Sequence, residues 1–125
     1  MKVVLDAGAF VAAERHDRRL GAMLRVLQQR QVPLRTSAAV VAQVWRDGRK
    51  QARIAQLLAG VSVAALGPDN DRRTGELLAR ARTNDVVDAH LALEVEDEDR
   101  VLTSDPDDLG HLLETRDVDA TIVAV

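Results

Sequence analysis

The sequence contains no cysteine, which excludes disulfides and cysteine-ligated zinc or iron–sulfur sites. One Trp, one Phe and no Tyr leave little aromatic surface for stacking on nucleobases. Long apolar runs are also missing, since Asp6 already interrupts the run that begins at Val3. We therefore expect a cytoplasmic protein that has no membrane anchor. A length of 125 residues suits one domain, spanning residues 1–125.

Charge is abundant and unevenly divided. The formal net charge of −3 combines residues 1–60, with eleven Lys or Arg against four Asp or Glu (+7), and residues 61–125, with six against sixteen (−10). This division predicts a positive surface for a polyanion beside an acidic surface for cations. Fifteen of the seventeen basic residues are Arg, which suits phosphate recognition. Scattered solvated charge, with arginine set by a GC-rich genome, is the simpler alternative.

Short apolar segments alternate with helical patterns along the chain. Strands are predicted at Lys2–Leu5, Pro33–Arg35, Val61–Leu66, Arg100–Thr103 and Thr121–Val125. Helices are predicted over Ala9–Arg15, Arg18–Gln31, Ala38–Arg46, Arg49–Leu58, Pro68–Arg82, a segment capped by Thr83 or Asn84 and running to about Glu96, and Asp107–Glu114. Trp45 is assigned to the core. The alternation predicts an α/β fold whose mainly parallel sheet is covered on both faces.

Three aspartates are the strongest candidates for chemistry. Asp6 ends the first strand and Asp105 follows the fourth, at the sheet edge where ligands bind in such folds. Each could instead be only a helix cap. Asp88 lies one turn into an otherwise apolar helix, where a carboxylate is costly unless it is paired or metal-bound. Together the three would form an oxygen-only site, which hard ions such as Mg²⁺ or Mn²⁺ prefer.

The remaining polar residues of interest are better explained by structural roles than by chemistry. The three histidines, His16, His90 and His111, are isolated and are expected to be structural or at the surface. The acidic run Glu94–Asp99 is expected to be a solvated helix end. Asp85 suits the first turn of its helix, where the helix dipole favours a negative charge. Asp85 and Asp108 are kept as reserve metal ligands.

The ordered set of Asp6, Asp88 in Val87-Asp88-Ala89-His90, and Thr103-Ser104-Asp105 resembles the PIN-domain ribonucleases. More narrowly, it resembles the VapC-type toxins of bacterial type II toxin–antitoxin pairs, over essentially the whole chain. The resemblance implies a three-layer α/β/α sandwich that cleaves RNA with Mg²⁺ or Mn²⁺. Asp6, Asp88 and Asp105 would match metal-binding positions and Thr103 the hydroxyl of the T-x-D motif, so that a metal-bound water attacks phosphorus. It also implies a cognate antitoxin that covers the site, and a homodimer.

The sequence departs from the family at two positions. Gln43 stands where the family usually has a glutamate, which removes one negative charge and should lower metal affinity. Ala7 stands where a Ser or Thr is common after the first aspartate. We expect RNA contacts from basic residues on the first half of the chain, namely Arg15, Arg46, Arg49 and Lys50, although a solvated surface charge is the simpler explanation of each.

Two alternatives remain open. A signalling receiver domain shares the length and the element order, but it needs an acidic pair after the first strand and a lysine after a late strand. Asp6 stands alone, and the only lysines are Lys2 and Lys50. A PIN-like module that binds RNA or an antitoxin, with catalysis weakened by Gln43, keeps the fold without the activity.

Overall fold

Five parallel strands form the centre of the fold in the computed structural model, which describes all 125 residues. The strands are β1 (Val3–Leu5), β2 (Leu34–Ser37), β3 (Val61–Ala64), β4 (Arg100–Thr103) and β5 (Thr121–Ala124). The helices are α1 (Ala7–Glu14), α2 (Arg18–Gln29), α3 (Ala38–Val44), α4 (Ala52–Ala59), α5 (Asp71–Ala81), α6 (Val86–Leu93) and α7 (Pro106–Thr115). All five predicted strands and all seven predicted helices are confirmed; the predicted ends of β4 are unchanged and those of the other elements are shifted.

The strand order is β3-β2-β1-β4-β5. The chain builds outward from β1 through β2 and β3, then returns to add β4 on the other side of β1. Helices α2, α3 and α4 pack against α1, and α5, α6 and α7 pack on one another. With the sheet, these two groups of helices give the three layers. The direction of winding reverses between β1 and β4, and ligands bind at that point in open α/β sheets. A receiver domain has a different strand order, so that alternative is wrong.

Apolar side chains fill both interfaces between the sheet and the helices. The strand residues Val3, Val4 and Leu5 are completely buried, as expected for a parallel sheet covered on both faces. Helix α2 contributes Leu20, Leu24 and Leu27, and α4 contributes Ile54 and Leu57, to the same core cluster. These helix faces are therefore ordinary core.

The prediction that Trp45 belongs to the core is wrong. Helix α3 ends at Val44, two residues before the predicted end at Arg46, and Trp45 has an extended backbone with φ −81° and ψ 127°. Its side chain therefore leaves the apolar stripe of α3 and is 37% exposed. The side chain of Gln51 causes the early end, because its Oε1 accepts hydrogen bonds from the amides of Arg46 and Asp47.

The acidic run Glu94–Asp99 is not simply a solvated helix end. Helix α6 stops at Leu93, and Asp99 is buried against the start of β1. Its carboxylate accepts hydrogen bonds from the backbone nitrogen of Lys2 at 3.0 Å and from Lys2 Nζ at 2.7 Å. Burial acts to raise the pKa of Asp99, but these hydrogen bonds and the lysine charge hold that pKa below its ordinary value. Asp99 thus stabilises the end of the sheet at which β1 begins.

None of the helices is both long enough and apolar enough to cross a membrane.

Candidate active site at the carboxyl ends of the strands

Asp6 and Asp105 are joined through Thr103 at the reversal point between β1 and β4. The buried Thr103 hydroxyl donates to Asp6 Oδ2 at 2.6 Å and accepts from the backbone nitrogen of Asp105 at 2.9 Å. Asp6 Oδ1 accepts from the backbone nitrogen of Ala7 at 2.8 Å, which caps α1. Asp6 is therefore both a helix cap and a fixed carboxylate at the sheet edge. Thr103 orients it, and this hydrogen bond gives Thr103 a positioning role.

Asp88 enters the site from the first turn of α6. Its backbone nitrogen donates to Asp85 Oδ1 at 3.0 Å, so Asp85 is the cap of this helix and Asp88 lies three residues inside it. The predicted caps Thr83 and Asn84 are wrong, because the backbone nitrogen of Thr83 still bonds to Leu78 at the end of α5. Asp88 is only 8% exposed, and its carboxylate makes no hydrogen bond within the protein.

Burial, reinforced by repulsion among carboxylates, determines the electrostatics of this edge. Burial raises the pKa of Asp88 to about 7, and the charges of four further aspartates, Asp85, Asp6, Asp105 and Asp108, add to the shift. Burial also raises the pKa of Asp6, partly offset by the hydrogen bonds from Thr103 and Ala7. The ion pairs of the chain involve Lys2 and Arg35 as cations, so no basic side chain lies within 4.0 Å of these five carboxylates.

The donor chemistry of the cluster suits a hard divalent cation, since it offers carboxylate oxygens without a competing basic side chain. The carboxylates are close enough to raise one another's pKa. As the side chains stand, however, no three acidic or histidine residues form a closed ligand set around one point. The site thus carries negative charge that a cation would neutralise, but its carboxylates do not converge on a single point as the side chains now lie.

Asp105 and Asp108 both lie at the start of α7, where Asp105 is the N-cap residue and Pro106 the first helical residue. The Asp105 side chain makes no capping hydrogen bond, so its carboxylate is free for another partner. This separates it from Asp6 and Asp85, whose oxygens already hold helix amides.

Gln43 and the predicted RNA-binding residues lie outside this hydrogen-bonded cluster. Gln43 is exposed on α3 and makes no hydrogen bond to the aspartates. Arg46, Arg49 and Lys50 are exposed on the segment between α3 and α4. Arg15, by contrast, borders a cleft of about 430 Å³ beside the site, whose walls are Ala7, Gly8, Val11, Ala12, Arg15, Asp17, Ser104 and Val125. A larger cleft between α2 and α4 is lined by none of the five clustered aspartates.

Two structural supports of the site have no clear signal in the sequence. The buried Thr36 hydroxyl of β2 donates to the carbonyl oxygen of Leu5 at 2.7 Å and so fixes the backbone that precedes Asp6. A β-carbon on Gly8 would lie 2.6 Å from Ser104 Oγ and 2.8 Å from the Ser104 backbone nitrogen. Glycine is therefore required where α1 crosses the turn that carries Asp105.

The histidines are structural or at the surface, as predicted. His90 is completely buried, with Nε2 3.2 Å from the Asn70 side-chain nitrogen, whereas its Nδ1 has no partner. His111 Nε2 lies 2.6 Å from the carbonyl oxygen of Ala81, and His16 is exposed.

Neither a family model nor a curated protein matches the sequence of this chain. Solved structures do match it. The chain is similar to one in VapBC2 from Rickettsia felis bound to a DNA fragment from their promoter, with a TM-score of 0.71 and 14% identity over 98% of this chain and 99% of that chain. It is also similar to chains in FitAB bound to an IR36 DNA fragment (TM-score 0.63, 18% identity, 96% and 94% covered) and in FitAcB from Neisseria gonorrhoeae (TM-score 0.61, 18% identity, 95% and 96% covered). These likenesses confirm the predicted α/β fold with its mainly parallel central sheet.

Proposed function

We propose that this chain is a metal-dependent endoribonuclease of the PIN type and the toxin of a toxin–antitoxin pair. One observation carries the proposal: five aspartates at the reversal point of the sheet lie close enough together for the charges of four to add to the burial that raises the pKa of Asp88, and no basic side chain lies within 4.0 Å of any of them. The pKa of Asp6 is raised as well. A purely structural edge would pair such charges, as Lys2 and Asp99 do at the opposite edge. Unpaired carboxylates at a ligand-binding edge fit a function in cation binding.

The proposed roles follow from the contacts of each side chain. Asp88 and Asp105, whose carboxylates have no hydrogen-bond donors in the protein, would hold Mg²⁺ or Mn²⁺ together with Asp6. Thr103 keeps Asp6 oriented, and Asp85 supports Asp88 through the helix cap while remaining a reserve ligand. A bound divalent cation lowers the pKa of a coordinated water and offsets charge on the phosphate during hydrolysis.

Basic side chains beside the cluster would hold the RNA. Arg15 borders the cleft next to Asp6 and makes no ion pair within 4.0 Å, so its charge is available to a phosphate. Arg46, Arg49 and Lys50 extend the positive surface along the segment that follows α3. A partner antitoxin would cover the acidic edge, and a second copy of the chain would complete a homodimer.

Cleavage of RNA by purified variants tests the proposal. We expect the parent protein to cleave a mixed RNA substrate with Mg²⁺ or Mn²⁺ and to lose cleavage in EDTA. Asp6→Asn and Asp88→Asn should each lower the rate by more than about 100-fold, a typical effect of removing a group that acts in the transition state. Glu114→Gln changes an exposed carboxylate at the other end of α7 and should cleave at the parental rate. Cleavage that survives both aspartate substitutions would sink the assignment.

A weakened PIN-like module is the second candidate. Gln43 supplies no negative charge, and the side chains do not form a closed ligand set. Such a module would bind RNA or an antitoxin yet leave RNA uncut at any Mn²⁺ concentration. The same cleavage assay, combined with an RNA-binding measurement, therefore separates the two candidates.

A further inference from the structure

The segment between α3 and α4 exposes the only tryptophan of the chain. Trp45 is 37% exposed, although a side chain of this size in a protein with two aromatic residues would ordinarily be used in the core. The benzene part of its indole lies against Gly48, where a β-carbon would come within 2.8 Å of Trp45 Cζ2. The ring therefore rests on the backbone of its own segment instead of on the core.

Buried hydrogen bonds hold this segment in shape. The side chain of Gln51, which is 6% exposed, accepts from the backbone nitrogens of Arg46 and Asp47 at 2.8 and 3.0 Å. Its Nε2 donates to the carbonyl oxygen of Val44 at 2.9 Å. Gln51 thus satisfies backbone groups on both sides of Trp45, and these hydrogen bonds fix the backbone that carries the exposed ring.

Three basic residues follow Trp45 closely in the sequence. Arg46, Arg49 and Lys50 are exposed, and none has a carboxylate within 4.0 Å. Asp47 is the single acid among them, and its Oδ1 accepts from the backbone nitrogen of Arg49 at 3.0 Å. The Arg46 guanidinium is fixed over the end of α3 by hydrogen bonds to the carbonyl oxygens of Ala42 and Trp45.

We propose that Trp45 is a stacking site for an unpaired base of single-stranded RNA, with Arg46, Arg49 and Lys50 holding the adjoining phosphates. An exposed indole among unpaired cations matches the chemistry of single-stranded nucleic acids, which present flat bases along a negatively charged backbone. A base within a duplex is already stacked on both faces and cannot use the ring. The choice of RNA rests on the proposed function.

Intrinsic fluorescence tests this site directly, because Trp45 is the only Trp and no Tyr is present. The full chain is titrated in EDTA, which prevents cleavage, with a single-stranded RNA oligonucleotide, its duplex and an abasic oligonucleotide of equal length. The single strand is expected to quench Trp45 emission, whereas the duplex and the abasic strand bind through charge and leave the emission nearly unchanged.

Substitutions give a second readout by fluorescence anisotropy of a labelled RNA. Trp45→Ala should weaken binding roughly 5- to 100-fold, the range expected for one stacked base, and Trp45→Phe should restore part of it. Gly48→Ala should weaken binding too, because the new methyl group displaces the ring. Val63→Ala changes another exposed apolar residue, on β3, and should have no effect. Circular dichroism verifies that each variant is folded.

Three results would overturn the stacking site. They are equal affinity of Trp45→Ala and parent protein, equal quenching by the abasic strand, and a Trp45-dependent dimer in sedimentation that hides the ring from RNA. Failure here is separate from failure of the proposed function, since cleavage is measured with Mn²⁺ and binding in EDTA. Quenching by single-stranded RNA without cleavage would support the stacking site and contradict the nuclease.

Discussion

Asp88 is a single residue whose ionised carboxylate opposes the stability of the fold. Its carboxylate is nearly buried, has no hydrogen-bond donor in the protein and is repelled by four aspartates, so its pKa rises from 3.8 to about 7. Between these two pKa values the folded state binds more protons than the unfolded state. The free energy of unfolding therefore falls as the pH rises through this window, and the loss is complete above pH 7.

Asp88→Asn should remove this penalty. In EDTA at pH 8 we expect the variant to be more stable than the parent by about 1 to 3 kcal/mol, because a neutral amide is not repelled by the cluster. At pH 4 the two proteins should have the same stability, since Asp88 is then protonated. Urea unfolding followed by circular dichroism at both pH values checks this. A variant less stable than the parent at pH 8 would show that the carboxylate is not under repulsion.

The positions of the three candidate aspartates at the carboxyl edge of the sheet are predictable from the sequence, but their contacts are not. Asp6, Asp88 and Asp105 stand out because each is polar at a strand end or in an apolar helix, and the structure brings their charges together. The bond from Thr103 to Asp6 and the anchoring of Leu5 by Thr36 depend on strand register. Register between parallel strands is set by long-range packing, which a single sequence does not display.

At the scale of elements, aspartates begin three of the helices that reach the carboxyl edge. Asp6 precedes α1, Asp85 precedes α6 and Asp105 precedes α7. A helix start favours a nearby negative charge, so the fold tolerates this concentration of acids better than an unstructured edge would. Capping and function are therefore compatible explanations of the same residues. The sequence alone presents them as alternatives, but one aspartate can both begin a helix and take part in a site.

Alanine substitutions at two glycines should have opposite effects on stability, because Gly8 lies at the close crossing of α1 over the β4–α7 turn and Gly75 lies in open space. Gly8→Ala should destabilise the protein by about 1 to 3 kcal/mol, because its methyl group meets the backbone of Ser104. Gly75→Ala, in α5 with nothing within 4 Å, should stabilise it by about 0.5 to 1 kcal/mol through helix propensity. Chemical unfolding measures both. Equal stability of the two variants would contradict the tight crossing.

Element ends show why local patterns were insufficient. The prediction extended α3 to Arg46 because Val40, Val41, Val44 and Trp45 form a helical apolar stripe. The structure ends α3 earlier because Gln51, seven residues after Val44, takes up the backbone groups that would continue the helix. The spacing of apolar residues cannot reveal a distant side chain that hydrogen-bonds to the backbone groups at the end of a helix. The incorrect assignment of Trp45 to the core also concealed the proposed stacking site.

For the molecule as a whole, the fold gathers acids from the second half of the chain around one acid from the first half. The second half supplies Asp85, Asp88, Asp105 and Asp108, and the strand order places them beside Asp6 from the first half. The basic residues that remain without ion pairs include Arg15 near the cleft and the cations around Trp45. Acidic and basic surfaces on one small domain would allow a cation and a polyanion to bind together.

Calorimetric titration with Mn²⁺ at pH 8 tests most directly the central claim, that the acidic edge is one cation site. We expect the parent protein to bind Mn²⁺, Asp88→Asn and Asp105→Asn each to weaken binding by at least about tenfold, equivalent to 1.4 kcal/mol, and Glu114→Gln to bind like the parent. Absence of binding by the parent, or equal binding by Asp88→Asn, would contradict the account.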